Sequence, residues 1–134
     1  MSGQTIPGNF YWALNEVADH WQEFRYPAPD GEAKRLGAGE FAVYHLLCRW
    51  ANNGTRQCKS YQSILCRWLD LSPKTLRRYL RNLESAKLIS MKRGYINLDA
   101  GVSVPSAFTL LDIGEALQHS ERLSEQPAPE EMPN

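Results

Sequence analysis

The stretch SPKTLRRYLRNLESAKLI, residues Ser72 to Ile89, holds Lys74, Arg77, Arg78, Arg81 and Lys87 against a single acid, Glu84. Rows of guanidinium and ammonium groups hold anions: the arginine fork matches phosphate or carboxylate, and lysine supplies a point charge. The same stretch carries Leu76, Leu80 and Leu83 at i, i+4 and i+7. At about 100° per residue, Lys74, Arg78, Arg81 and Ser85 fall opposite that stripe. Arg77 flanks the stripe on one side, Thr75 and Asn82 on the other. One face of this helix is therefore core, and the other is a row of cations on a rigid rod. Charge runs are commonly just solvated faces. Two features argue against that here: acids are nearly absent, and Arg56, Lys59, Arg67, Lys92 and Arg93 stand close by in the chain.

Other reactive types are present without a reactive pattern. Cys48, Cys58 and Cys66 lie near His45, but no C-x-x-C pair exists, so a zinc site is not expected. Cys48 and Cys66 fit helix faces as small hydrophobes. Glu16, His20 and Glu23 share a helix face and could ligate a metal, but a solvated polar face is the simpler reading. No serine, cysteine or histidine constellation suits nucleophilic catalysis, and no glycine-rich phosphate loop occurs. Neither an enzyme nor a cofactor is expected.

The charge is unevenly spread. The chain of 134 residues has 15 basic and 15 acidic side chains and no net charge. Residues 34–95 hold thirteen basic and three acidic residues, residues 1–33 one and five, and residues 96–134 one and seven. A strongly basic middle between acidic ends is the footprint of a polyanion-binding module. The length and the hydrophobic content of 43% suit one domain. An odd cysteine count points to a reducing cytoplasm. No apolar run is long enough to span a membrane, and MSGQTIPGNF lacks the charged and apolar regions of a secretory signal.

The elements that position the cations follow from spacing. Phe10, Leu14, Val17, Trp21 and Phe24 recur at intervals of 4, 3, 4 and 3, which predicts a helix ending before Pro27. Trp12 lies beside that stripe and widens its apolar arc. YPAPDGEAKRLGAGE reads as a linker. A second helix begins near Gly39, buries Phe41, Tyr44, Leu47, Cys48 and Ala51, and stops at NNG. TRQCK reads as a connector. A third helix spans about Tyr61 to Leu69, with Ser60 as cap and Ile64, Leu65 and Trp68 inward. Asp70-Leu71-Ser72 is a tight turn, and Ser72 with Pro73 opens the fourth helix. Beyond Ala86 the pattern becomes strand. Either LISMK and YINL pair around Arg93-Gly94, or a strand over 88–95 pairs with 107–111 across a loop. Asp112 and Glu115 form a capping pattern for a last helix with Ile113, Ala116, Leu117 and Ser120. SEQPAPEEMPN is acidic, proline-rich and expected to be disordered.

A helix, two helices joined by a short turn and a β-hairpin spell a winged helix-turn-helix. LSPKTLRRYLRNLESAKLI resembles the recognition helices of bacterial winged-helix regulators of the GntR and MarR kinds. GEFAVYHLLCRWANNG and KSYQSILCRWLDLS are similar to helix-turn-helix domains of bacterial plasmid and phage replication initiators and regulators. The resemblance spans residues 36–111. It implies a mostly α fold with a small β-hairpin wing and N- and C-terminal helical extensions: residues 1–33, a winged domain over 34–111, and 112–134. It departs at Pro73, where a DNA-contacting arginine is common, and at Ala86-Lys87, where a glycine usually ends the helix. The large effector domain of GntR proteins is missing, so no small-molecule effector is expected.

The resemblance implies a sequence-specific protein of double-stranded DNA, a transcriptional regulator or a replication or partition factor of a bacterium or its mobile elements. A winged helix docking an acidic protein partner is the alternative. Thr75 and Arg77 match family positions that contact DNA, and Lys74 and Arg78 match positions that commonly do. The residues expected to read bases are Lys74, Thr75, Arg78 and Asn82. Those expected at phosphates or in the wing are Lys59, Ser60, Arg67, Ser72, Arg77, Arg81, Lys92 and Arg93. The 4-3-4-3 seam of Phe10, Leu14, Val17, Trp21 and Phe24 is expected to pair two copies as a homodimer. Its competing use is to cap the chain's own winged domain.

Overall fold

Ser72 starts the most two-sided helix of the protein. In the computed structural model, which describes residues 15–52 and 54–125, its hydroxyl accepts the Thr75 N–H at 3.1 Å and Pro73 follows as the first helical residue. Helix α4 (Pro73–Ser85) then buries Leu76, Leu80 and Leu83 completely. Two helices that precede it receive this stripe: α2 (Ala38–Trp50) and α3 (Gln62–Leu69). The inward face of α2 is Glu40, Val43, Tyr44, Leu47 and Cys48, a continuous i, i+3, i+4 pattern. Phe41 and Ala51, expected in that face, sit at its edge and are only half-buried. Phe41 meets the Trp21 ring edge-on at 4.9 Å.

The connection from α2 to α3 is not a bare connector. Residues Gln57–Ser60 form strand β3, with Cys58 and Ser60 inward and Gln57 and Lys59 outward. Lone Cys58 gives no strand signal in sequence. The strand exists because a distant segment pairs with it. Tyr61, not Ser60, occupies the cap position of α3, because Ser60 is still part of the strand. Leu65 is buried and Ile64 partly so. Trp68, expected inward, is 67% exposed and rests edge-on against Trp50 at 5.6 Å. Asp70 takes the left-handed conformation (φ 54°) and Leu71 N–H closes on the Cys66 carbonyl at 3.0 Å, which makes the tight turn into α4.

Helix α4 ends with Lys87 at φ 67°. Leu88 N–H bonds the Leu83 carbonyl at 3.1 Å and Lys87 N–H the Glu84 carbonyl at 3.0 Å, the closure that usually employs glycine. The chain continues into β4 (Ile89–Lys92), β5 (Tyr95–Asn97), β6 (Val102–Val104) and β7 (Ser106–Leu110). β7 lies between β3 and β4, antiparallel to both, with Ile89 opposite Leu110 and Lys92 opposite Ala107. This is the longer of the two predicted registers. The first strand of that register stops at Lys92, and Tyr95, expected at its end, opens a separate hairpin that takes in part of the expected loop, with Tyr95 opposite Val104 and Asn97 opposite Val102.

The N-terminal region differs most from expectation. Its helix, α1, covers residues 15–19 of the described chain, and a single 3-10 turn, Trp21–Glu23, replaces the predicted continuation toward Pro27. β1 (Arg25–Pro27) and β2 (Ala33–Arg35) then pair across the segment read as a linker. Its proline and glycine make the turn: Gly31 has φ 88°, Ala28 N–H reaches the Glu32 carbonyl at 2.8 Å, and Asp30 accepts Glu32 N–H at 3.0 Å. β1 packs against α5 (Ile113–Glu125), where Arg25 N–H donates to the Ser120 hydroxyl at 2.8 Å. Asp112 caps α5 by accepting Glu115 N–H at 3.0 Å. Residues 124 and 125, expected in the disordered tail, close α5, and the rest of that tail lies outside the described residues.

Val17, Phe24 and Ala116 join the same buried cluster as Leu76, Leu80 and Leu83. This corrects the expected dimer seam. Val17 and Phe24 are both 0% exposed within one chain, so a second copy cannot reach them, and Trp21 packs on its own core. Phe10 and Leu14 lie outside the described residues, as does Trp12. Among the described residues no helix is long and apolar enough to cross a membrane.

The end of α4 supplies a test. Lys87 is exposed and holds a left-handed backbone that disfavours any residue with a Cβ. Lys87→Gly should stabilise the protein by about 1 kcal/mol, after allowance for the greater chain entropy of glycine. A rise in the urea midpoint at unchanged slope is the expected reading.

Candidate functional site

The outward side of α4 carries Lys74, Arg77, Arg78 and Arg81, all exposed. Among the described residues none of the four has a carboxylate within ion-pair distance. The ion pairs that do form, His20–Glu23 at 2.6 Å and Lys34–Asp30 at 3.6 Å, involve no residue of α4. Arg78 is steadied by an aromatic ring instead, its guanidinium lying over Tyr79 at 5.3 Å. Tyr79 is steadied in turn by α2. It lies so close to Gly39 that a Cβ there would collide with its ring. A glycine in the first turn of one helix thus lets a tyrosine of another sit flat beneath an arginine.

Polar residues flanking the cations divide into those free to face outward and those already engaged. Thr75, half-buried, accepts from the Ser72 hydroxyl at 2.9 Å, so both side chains serve the start of the helix. Asn82 corrects its expected role. Its amide donates to Glu40 Oε2 at 2.9 Å, and Glu40 is only 6% exposed. The other oxygen of Glu40 accepts Gly37 N–H at 3.0 Å. Asn82 therefore ties α4 to the start of α2 and is not free to face outward. Ser60 is corrected as well: it is 8% exposed and its hydroxyl turns back to the Tyr61 carbonyl at 3.3 Å. Lys59 and Arg67 are exposed on β3 and α3.

Lys92 and Arg93 are exposed at the base of the β5–β6 hairpin, not at its tip. Gly94 follows them because a Cβ there would strike the Val104 carbonyl, and its N–H donates to the Ser106 hydroxyl at 3.0 Å. The hairpin is tied to the start of α3. Tyr61 donates to the Ser103 carbonyl at 3.3 Å and accepts from the Ser103 hydroxyl at 2.9 Å. Between them lies an open cleft of about 380 Å³, bounded by Gln62 and Ser63, by Arg77, and by Arg93, Tyr95 and Ile96. Arg77 of α4 and the base of the hairpin thus border one cleft.

Sequence reading missed Glu40, Tyr61 and the Gly39–Tyr79 contact. A glutamate three residues after Gly37 carries a legible capping signal. The other two depend on tertiary contacts and leave no local trace. The cysteines stay thiols. Burial pushes Cys48 up to about 12 and also raises Cys58 and Cys66. Among the described residues no three histidines, cysteines or acids gather as metal ligands. On α5, His119 Nε2 donates to the Ser85 carbonyl at 3.0 Å. Burial lowers its pKa, and nearby Lys87 and Arg122 act in the same direction.

Residues 34–89, which include α2, β3, α3 and α4, match a family model described as a helix-turn-helix domain. No curated protein and no solved structure matches the chain.

Asn82→Ala would leave one oxygen of a buried carboxylate without its donor. The protein should lose about 1–3 kcal/mol of stability in urea denaturation. Asn82→Asp, which sets a second carboxylate against Glu40, should lose more. An Asn82→Ala protein as stable as wild type would mean that this bond is not formed in solution.

Proposed function

We propose that the protein is a sequence-specific binder of double-stranded DNA with a winged-helix architecture, from the premise that residues 34–89, which match the helix-turn-helix model, form a DNA-binding domain. In this reading β4, β7 and the β5–β6 hairpin are the wing, and β1, β2 and α5 brace the domain. One observation carries it: Lys74, Arg78 and Arg81 stand exposed opposite a fully buried leucine stripe and Arg77 stands exposed at its flank, with no carboxylate partner among the described residues. A solvated helix face ordinarily interleaves acids with its bases.

Helix α4 enters the major groove, about 12 Å wide, with its N-terminal half leading. Lys74 and Arg78 approach base edges, and Thr75 lies at the edge of that contact. Arg78, lying over Tyr79, has fewer orientations to lose on binding. Arg77, Arg81, Lys59 and Arg67 meet phosphates, and Ser72 contributes through the helix start that it caps. Lys92 and Arg93 reach the backbone beside the wing. Regulation of transcription, or replication or partition in a bacterium or its mobile elements, is the biological role that best fits such a module. Homodimers on palindromic sites suit proteins of this size. With Val17 and Phe24 inside the chain, such a dimer needs another surface.

Binding to duplex DNA across a salt series tests the proposal. Arg78→Ala should weaken specific binding by about 1–3 kcal/mol, by an amount that depends on the base it faces. Lys59→Ala should weaken binding to all sequences alike and lower the salt slope by about one. If both variants bind as wild type does, α4 is not the DNA surface, and an acidic protein becomes the better partner for it.

A further inference from the structure

The hairpin is the wrong kind of surface for phosphates. From Tyr95 to Val104 its only charged residue is Asp99. Its apolar side chains face solvent instead: Leu98 is 88% exposed, Ile96 66% and Tyr95 59%, with Val102 and Val104 also exposed. Large exposed apolar groups gathered on one short element mark a contact surface. Its position limits what it can contact. The hairpin is pinned to the start of α3 through Tyr61 and Ser103, and the cleft beside it is bounded by Arg77 of α4 and by Arg93. Ile96 pairs with Ser103 in register, so it lies on the face that Tyr61 touches. A nucleic acid held by Arg77 and Arg93 would pass beside these apolar side chains.

We propose that the hairpin is an apolar wedge for DNA: Arg93 and Arg77 hold the backbone at its base, while Leu98 and Ile96 enter the groove and part the stack of a base step. Apolar side chains used in this way unstack bases and bend the duplex. Charge complementarity selects the occupant. The cations bordering the hairpin favour a polyanion, and the hairpin itself offers an aqueous phosphate no favourable contact. This inference rests on DNA binding by α4 but concerns a separate contact.

The experiment compares a fully paired duplex with the same duplex carrying a single-base bulge, using the full-length protein. A wedge gains where stacking is already broken, so the wild type should bind the bulged duplex about tenfold more tightly. The double variant Leu98→Ala/Ile96→Ala should lose that preference, binding the bulged and the paired duplex with affinities within about threefold of each other. Both side chains are exposed, so the fold should survive, and a thermal melt by circular dichroism checks it. A wild type indifferent to the bulge overturns the wedge. So does a double variant that keeps the preference. In either of those cases an Arg78→Ala defect on paired DNA would still uphold binding by α4. A double variant that changes mass in light scattering would instead make the hairpin a contact between copies and overturn the proposal. Failure of the wild type to bind either duplex overturns both readings.

Discussion

The burial of Leu76, Leu80 and Leu83 is the constraint from which the rest follows. Each of the three is completely buried, and full burial of a leucine side chain contributes about 1.5–3 kcal/mol. With 100° between residues, fixing that stripe against α2 and α3 fixes where Lys74, Arg78 and Arg81 point. The cations need no carboxylate to orient them. Their aim is set by hydrophobic packing on the far side of the same helix, which salt does not screen. That separation leaves the outward face without a carboxylate partner among the described residues. Holding the cations with carboxylates would steady them equally well but would neutralise the charge they present.

Polar contacts refine this placement at the helix ends. The Glu40 carboxylate holds Gly37 N–H on one side and the Asn82 amide on the other. It thereby locks the start of α2 to the last turns of α4. A buried carboxylate is costly unless its hydrogen bonds are made, and here each oxygen has a donor. Glu40 is one of only three acids among residues 34–95. It faces inward, and Glu84 accepts the Met91 N–H at 3.2 Å. Two of the three acids in the basic region are thus used for structure, and neither lies against the outward cations.

What could be read in the sequence was what local chemistry decides. Ser72 and Pro73 announce the start of α4, its leucine spacing gives its buried face, and Asp112 gives the start of α5. The long register of β4 and β7 was one of two open readings. The failures share a cause. The spacing of Val17, Trp21 and Phe24 within that series describes a helix as well as it describes residues that reach one core from a helix, from a 3-10 turn and from the residue that ends the turn. Val17 and Phe24 are both buried, by different routes. Proline and glycine in YPAPDGE signalled a break, and nothing local showed that Arg25–Pro27 and Ala33–Arg35 would pair across it. Trp68 looked like core by helical phase, one turn after Ile64 and Leu65, yet α3 is short and Leu65 is its one buried residue. Asn82 flanks the leucine stripe by helical phase, which left its amide open to a base edge. Phase could not show that a buried carboxylate from α2 waits at the edge of that face.

The β5–β6 hairpin and the cations at its base keep charge and apolar surface apart. Lys92 and Arg93 stop where the paired strands of the central sheet stop, and Gly94 marks the change because no side chain fits against Val104 there. Beyond it the chain is almost uncharged. A hairpin of three-residue strands has little stability of its own. This one is held by Tyr61, whose hydroxyl both donates to and accepts from Ser103. The tie brings the hairpin to the start of α3, beside Gln62 and Ser63, on the same side as Arg77. Solvent alone gives no reason to anchor an exposed apolar hairpin at that point. Its attachment beside the cations, and not at the far end of the sheet, places the apolar surface where a ligand of α4 would meet it.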